Sequence, residues 1–307
     1  MDRARLGFDH LARFWLDSAP ARGVVGRFDQ ALAEALRHHA YPPAVRSLLR
    51  QLGAAALLLA SNLKQPATII VQAQGDGDVP LLCVEATDRL TCRAYADVRL
   101  DRPISDDADL CSVVAGDGAG RLVFTIDPAR GQMYQGIVAL EHRSVANLLE
   151  AYLTSSQQTD TRLWLREDGD AVEAVLLERL PIPGANTESE RAAWHAIEAA
   201  IERALSDVFM PFPYEQWLEM VLPDHAVRLH PAQPVAFACP CSLERVLGAL
   251  RLVGWDELKP LIDENGCVDT RCEFCGRNYR VDRAQVEELF RAEAADGRHP
   301  PGTSTLQ

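Results

Sequence analysis

The sequence predicts an α+β chain: a mixed, mostly antiparallel α/β domain at the N-terminus, a helical linker region, and a small C-terminal zinc domain built on four cysteines. Three observations carry this. The apolar period switches from three-and-four to two near Ala67, and strand-like runs then recur between turn signals up to about residue 180. A breaker, Pro181-Ile182-Pro183-Gly184, precedes a capping box and a long amphipathic stretch. Finally Cys239-Pro240-Cys241 and Cys272-Glu273-Phe274-Cys275 stand thirty residues apart as CxC and CxxC. Two close thiol pairs are the donor set that a tetrahedral Zn²⁺ takes, and four unrelated core cysteines would not fall into such pairs. The expected boundaries are 1–180 for the α/β domain, 181–235 for the linker region, 236–292 for the zinc domain and 293–307 for a disordered polar tail.

The elements follow in order. Residues 1–30 show no clean period, although 22–28 reads as a strand. Helical spacing covers 29–38, with Phe28, Leu32, Ala35 and Leu36 close to one face. Tyr41-Pro42-Pro43 ends it. A longer helix follows over 44–63, where Val45, Leu48, Leu49, Leu52, Ala55, Ala56, Leu59 and Leu63 form a stripe apolar enough for the centre of a core. Strands are predicted at 68–72, 79–85, 91–96, 121–126 and 134–139, with Gly75-Asp76-Gly77-Asp78 as a tight hairpin turn. The Gly-rich stretch 116–120 lacks the GxxxxGK[ST] order of a phosphate loop, which argues against nucleotide binding. Ser144 caps a helix through Leu153, and strands at 162–166 and 171–178 flank Asp168-Gly169-Asp170.

Thr187-Glu188-Ser189-Glu190 opens a helix to about residue 209, with Trp194, Ile197, Ile201, Leu205 and Val208 as its stripe. A second break at 209–214 precedes a short amphipathic piece bearing Trp217, Leu218, Val221 and Leu222. This region is helical and aromatic but has no core of its own, so it must lie on a neighbour. It reads either as a docked linker or as a client surface hidden until something releases it. In the cysteine module, Ser242 caps a helix carrying Leu243, Val246, Leu247 and Leu250, and a second helix covers 256–264. Asp282 and Gln285 can cap reciprocally a final helix with Val286, Leu289 and Phe290.

Composition narrows the function. The chain has 307 residues, is 48% hydrophobic and carries a net charge of −13, with only Lys64 and Lys259 as lysines. Such a chain, without a basic run, is a poor nucleic-acid binder. The longest near-apolar run, 52–60, is far short of the ~18 residues a membrane span needs. No secretory signal is visible, so a cytoplasmic protein with reduced thiols is expected. Eight cysteines there point to metal or redox chemistry. Cys83, Cys92 and Cys111 stand singly among apolar residues and read as small buried hydrophobes. No Ser-His-Asp arrangement is recognisable; His38, His39, His225 and His230 read as surface or packing residues.

Residues 239–290 are too few for a robust core, so the metal must supply stability, on the order of 10–16 kcal/mol in small zinc-thiolate modules. Thiolates are the nucleophilic form, and a bound cation keeps them deprotonated. A CxC pair can close a strained disulfide and a CxxC pair closes readily, so each half of the site can be oxidised by its own partner. An inert structural zinc fits the same spacing. Cys267 stands five residues before Cys272 and can compete as a ligand or resolving thiol; a bystander role is the simpler reading. The module holds ten acidic and seven basic side chains, the wrong sign for phosphate recognition.

With Phe237-Ala238-Cys239-Pro240-Cys241-Ser242, Glu244-Arg245-Val246 and Cys272-Glu273-Phe274-Cys275 with Tyr279, the chain resembles the redox-regulated thirty-three-kilodalton chaperonin family, the heat-shock protein 33 family. Tyr41-Pro42, Gln72 before Gly75-Asp76-Gly77, and Tyr134-Gln135-Gly136-Ile137-Val138 extend the resemblance to nearly the whole length. It implies a molecular chaperone, not an enzyme. The reduced form would hold one Zn²⁺ per chain and be inactive. Oxidation would link Cys239 to Cys241 and Cys272 to Cys275, release zinc and unfold the C-terminal module. The linker would loosen, a homodimer would form, and unfolded client proteins would be held without ATP and passed to ATP-dependent chaperones. Ser155-Ser156-Gln157-Gln158, Val175-Leu176-Leu177-Glu178-Arg179 and the added Cys267 depart from the family pattern. Two other readings stand beside this: a thiol–disulfide oxidoreductase using CxxC, and a constitutive zinc-stabilised interaction module.

Overall fold

The computed structural model describes residues 9–17, 19–99, 102–157, 160–180, 188–207, 210 and 213–296. Contacts divide the chain into two compact units, 1–238 and 239–307. The first runs β1 (His10–Leu16), β2 (Ala21–Phe28), α1 (Gln30–Leu36), α2 (Pro43–Ala60), β3 (Ala67–Gly75), β4 (Leu81–Thr87), β5 (Thr91–Asp97), α3 (Leu110–Val114), β6 (Gly120–Pro128), β7 (Tyr134–Ala139), α4 (Val145–Gln157), β8 (Thr161–Asp168), β9 (Ala171–Arg179), α5 (Glu188–Asp207) and α6 (Tyr214–Val221). Three short strands follow, β10 (Val227–Leu229), β11 (Gln233–Pro234) and β12 (Ala236–Phe237). The second unit contains α7 (Leu243–Val253), α8 (Trp255–Asn265), β13 (Cys267–Arg271), β14 (Asn278–Asp282) and α9 (Arg283–Asp296). The α+β class expected from the sequence is the class observed.

Two sheets share α2. One has the order β10-β1-β2-β9-β8, with β11 also on β1; the other has the order β12-β5-β4-β3-β6-β7. All pairs are antiparallel except β12 on β5. Helix α2 packs on β2, β8 and β9 of the first sheet and on β3, β4 and β5 of the second. That is why it is apolar nearly all round: a helix with sheets on two sides has little face left for water. Its Arg50 is buried too, held by Asp170 at 2.6 Å.

The first sheet is covered on both faces. Leu11, Val24, Phe28, Val172, Ala174 and Leu176 point into the α2 core. Their alternates Ala12, Phe14, Leu16, Ala21, Val25, Val175 and Leu177 meet Trp194, Ile197, Ile201, Leu205, Trp217, Leu218, Val221 and Leu222 of the helical region. The region that lacked a core of its own therefore completes one here. Polar pins reinforce it. Tyr214 Oη donates to the His10 carbonyl at 2.7 Å and accepts the Arg27 N–H at 3.1 Å. The Met210 N–H donates to the buried Glu173 carboxylate at 2.9 Å, and Arg166 donates to the Leu205 carbonyl.

Several expectations are corrected. Residues 10–16 are a strand, not patternless chain, and α3, β10, β11, β12 and the β13–β14 hairpin were not anticipated. Gly75-Asp76-Gly77-Asp78 is no tight hairpin turn: β3 ends at Gly75, β4 begins at Leu81, and the loop docks on α3 through Gly77 N–H to Val114 O at 2.8 Å. The glycines are needed because a Cβ at either position would run into the Val113 and Val114 carbonyls. The breaker at 181–184, Thr187, Gln158, Val208 and the tail from Gly297 lie outside the described residues. His39 stacks on Tyr41 and His230 packs on Trp15, as packing residues do. No described helix is long and apolar enough to cross a membrane.

Candidate metal centre

Two local structures bring the cysteines together. Cys239 and Cys241 lead into α7, whose N-cap Ser242 accepts the Arg245 N–H at 3.3 Å. Cys272 and Cys275 occupy the turn between β13 and β14. There the Cys272 N–H reaches Arg277 O at 2.9 Å and the Gly276 N–H reaches Cys272 O at 2.8 Å. Gly276 has φ +67°, a conformation that a residue with a Cβ resists, and it lets the chain reverse directly after the second thiol.

Beneath the turn, Leu250, Leu258, Ile262, Val268, Val281, Val286 and Leu289 form a small apolar cluster. The reciprocal cap of α9 is present: Asp282 N–H to Gln285 Oε1 at 3.0 Å, and Gln285 N–H to Asp282 Oδ1 at 2.8 Å.

The four sulfurs of Cys239, Cys241, Cys272 and Cys275 lie within 4.8 Å of one another, and none is in a disulfide. Cys239 and Cys272 are 3.7 Å apart, Cys241 and Cys275 3.3 Å. A tetrahedron of sulfurs about 2.3 Å from a zinc ion has edges of about 3.8 Å, so these thiols could hold such an ion with little adjustment. Burial disfavours a charge on Cys241, but donation from Tyr279 and the neighbouring thiols outweighs it and brings the pKa down to about 7. Cys275 is pushed up to about 12, by burial and by the thiols beside it, against the Arg277 backbone N–H. One negative charge is thus readily shared and further ones are resisted. A divalent cation would relieve that resistance.

Cys267 does not join the four. It is buried at the start of β13, with its thiol 3.6 Å from Asn265 O and 3.7 Å from Asp269 Oδ2. Among the single cysteines, Cys83 and Cys92 are buried as expected. Cys111 is a correction: it is partly exposed on α3, and its thiol faces two backbone carbonyls, Leu140 O and His142 O. Tyr279, whose hydroxyl donates to Cys241 Sγ at 3.1 Å, is a site residue that the cysteine spacing gave no means of finding. The CxxC lies in a hairpin turn, not ahead of a helix as in a thioredoxin-like setting.

Fold and site define a two-unit α+β protein with a tetrathiol centre in a small module. A family model described as Hsp33 protein matches residues 9–282. The 33 kDa chaperonin of Pseudomonas fluorescens Pf-5 is 35% identical over 94% of this chain and 95% of its own. That of Methylobacillus flagellatus is 33% identical over 93% and 95%. The crystal structure of the 33 kDa chaperonin from Thermotoga maritima superposes with a TM-score of 0.75, covering 94% of this chain and all of that one, at 18% identity; it supports the fold. The chain belongs to the Hsp33 family of chaperones.

Proposed function

We propose that this chain is a redox-regulated, ATP-independent holdase. The observation that carries the reading is that two chain segments bring four unbridged thiols together in one small module. In the reduced form Cys239, Cys241, Cys272 and Cys275 would hold one Zn²⁺. The ion would neutralise the thiolates and tie the lead-in of α7 to the β13–β14 turn.

With hydrogen peroxide as oxidant, one thiolate attacks an oxygen, the O–O bond breaks, hydroxide leaves and a sulfenic acid forms. A second thiolate attacks that sulfur, the S–S bond forms and a second hydroxide leaves. Two thiolates thus give up the two electrons the peroxide accepts. The resemblance to the family implies that the bonds formed are Cys239–Cys241 and Cys272–Cys275, each between thiols close in sequence. Disulfide sulfurs no longer hold a cation, and a core of seven buried residues cannot keep the module folded alone.

In this reading 1–180 is the chaperone core, 181–235 a releasable helical layer and 236–292 the redox-switch domain. Release of the layer would expose the apolar face of β1, β2 and β9 and the stripes of α5 and α6, giving a surface for unfolded clients and for a homodimer. Handing clients to ATP-dependent chaperones, and residence in the cytoplasm, complete the proposal. The test is aggregation of a heat-unfolded client, followed with reduced protein and with protein treated with peroxide at mild heat. Suppression by the oxidised form alone is expected; equal, negligible suppression in both defeats the reading.

A further inference from the structure

The four sulfurs are not in equal surroundings. Cys241 Sγ accepts the Tyr279 hydroxyl at 3.1 Å. The Arg277 guanidinium stands beside that hydroxyl. Tyr279 is placed by its strand: it pairs with Thr270 across the hairpin, and on β14 it shares a face with Val281, which is fully buried in the module core. Its backbone position is therefore set by the hairpin register.

On a sulfur that a cation already keeps as thiolate, a donor adds nothing to the thiolate population; it engages the lone pair that an electrophile would take, so the sulfur becomes a poorer nucleophile. A cation on the phenol oxygen makes the phenol a better donor. We propose that Tyr279 is a positioning residue that lowers the reactivity of Cys241 towards oxidants and so raises the amount of oxidant needed to open the module. This rests on the reading above, in which the four thiolates hold a metal and are oxidised in pairs. In the step concerned, the Cys241 thiolate attacks an oxygen of hydrogen peroxide, the O–O bond breaks and hydroxide leaves. The Cys239 thiolate then displaces a second hydroxide from the Cys241 sulfenic acid as the S–S bond forms. The lone pair that makes the first bond is the one Tyr279 engages.

Tyr279→Phe keeps the ring and removes the donor. Reduced, zinc-loaded wild type and variant are pulsed with N-ethylmaleimide, and labelling at Cys241 relative to Cys275 is read by peptide mass spectrometry. Zinc content and peroxide-driven zinc release are measured on the same samples. The Cys241 share is expected to rise roughly tenfold, the low end of the weight of one hydrogen bond to a charged group, and zinc release to quicken. A purely packing role for the ring would leave that share unchanged. A loaded wild type with the same labelling ratio in both proteins overturns the proposal while leaving the metal-centre reading intact. A wild type without zinc defeats the metal-centre reading and this proposal with it. Should Tyr279→Phe lose its folded far-UV signal, Arg277→Gln decides. It keeps ring and hydroxyl and removes the cation, so a raised Cys241 share supports the proposal and an unchanged one overturns it.

Discussion

Eight cysteines share this chain, and their surroundings sort them by chemistry. Cys83 on β4 and Cys92 on β5 are buried, and burial pushes their thiols up to about 11 and about 12. The folded state thus keeps these protons past the pH, near 9, at which the unfolded chain releases them. Their contribution to stability is complete below about pH 9 and is lost as pH rises towards 11 and beyond. We expect maleimide to leave both unlabelled in the native protein at about pH 8 and to label them after denaturation or on strongly alkaline titration. Native labelling at that pH, measured by mass spectrometry, would contradict their placement. Their apolar neighbours made these two legible from sequence. Cys111 was not, because its two carbonyl partners come from residues 140 and 142, about thirty positions away. The four thiols of the centre were legible because each pair is local. Tyr279 stood beside the CxxC in the family resemblance, but its contact with Cys241 was not legible, because the two are 38 residues apart.

Among the elements, the helical layer of α5 and α6 depends on the first sheet for its core and on few polar pins. Glu173 on β9 is the most loaded of these. It is fully buried and meets Arg27 at 2.5 Å, Arg166 at 3.4 Å and the Met210 N–H at 2.9 Å. Burial still holds its carboxyl above the usual range, so the partners only partly offset the cost of burying it. Glu173→Ala removes the buried carboxylate that Arg27 meets and leaves it the half-exposed Asp168 at 3.3 Å. A loss of about 3 kcal/mol is expected in urea unfolding, with faster proteolysis within 188–222. An unchanged midpoint and cleavage pattern would show that apolar packing alone fastens the layer.

The same sheet shows why some elements could be read and others not. The long stripe of α2 and the caps at Ser242 and Asp282 are local signals, and the helices they mark are present. Strand β1 lost its alternation because both faces are covered, so apolar residues occupy both phases. Strands β10, β11 and β12 have three, two and two residues, too few to show any period.

At the scale of the whole molecule, the division of labour rests on unequal cores. Among the described residues, the first unit buries two large apolar clusters around its sheets, whereas the second has one cluster of seven buried residues. The first should stand alone and the second should need a cross-link, because apolar burial scales with unit size and a small module falls short. The sequence carried this much: a stripe at 194–205 with no core of its own implied a neighbour, and close thiol pairs implied a metal-dependent module. Which sheet face received the stripe was set by contacts such as Glu173 to Met210, which no local pattern encodes.

The central claim is that a metal held by four thiolates keeps the small module folded. The most direct measurement is a stepwise oxidant titration of reduced protein, following released zinc, remaining free thiols and far-UV circular dichroism on the same samples. The account predicts one zinc released as four thiols are lost, with a fall in helical signal matching α7, α8 and α9 while the signal of the first unit persists. Zinc that leaves without any loss of ordered structure, or reduced protein that carries none, would contradict it.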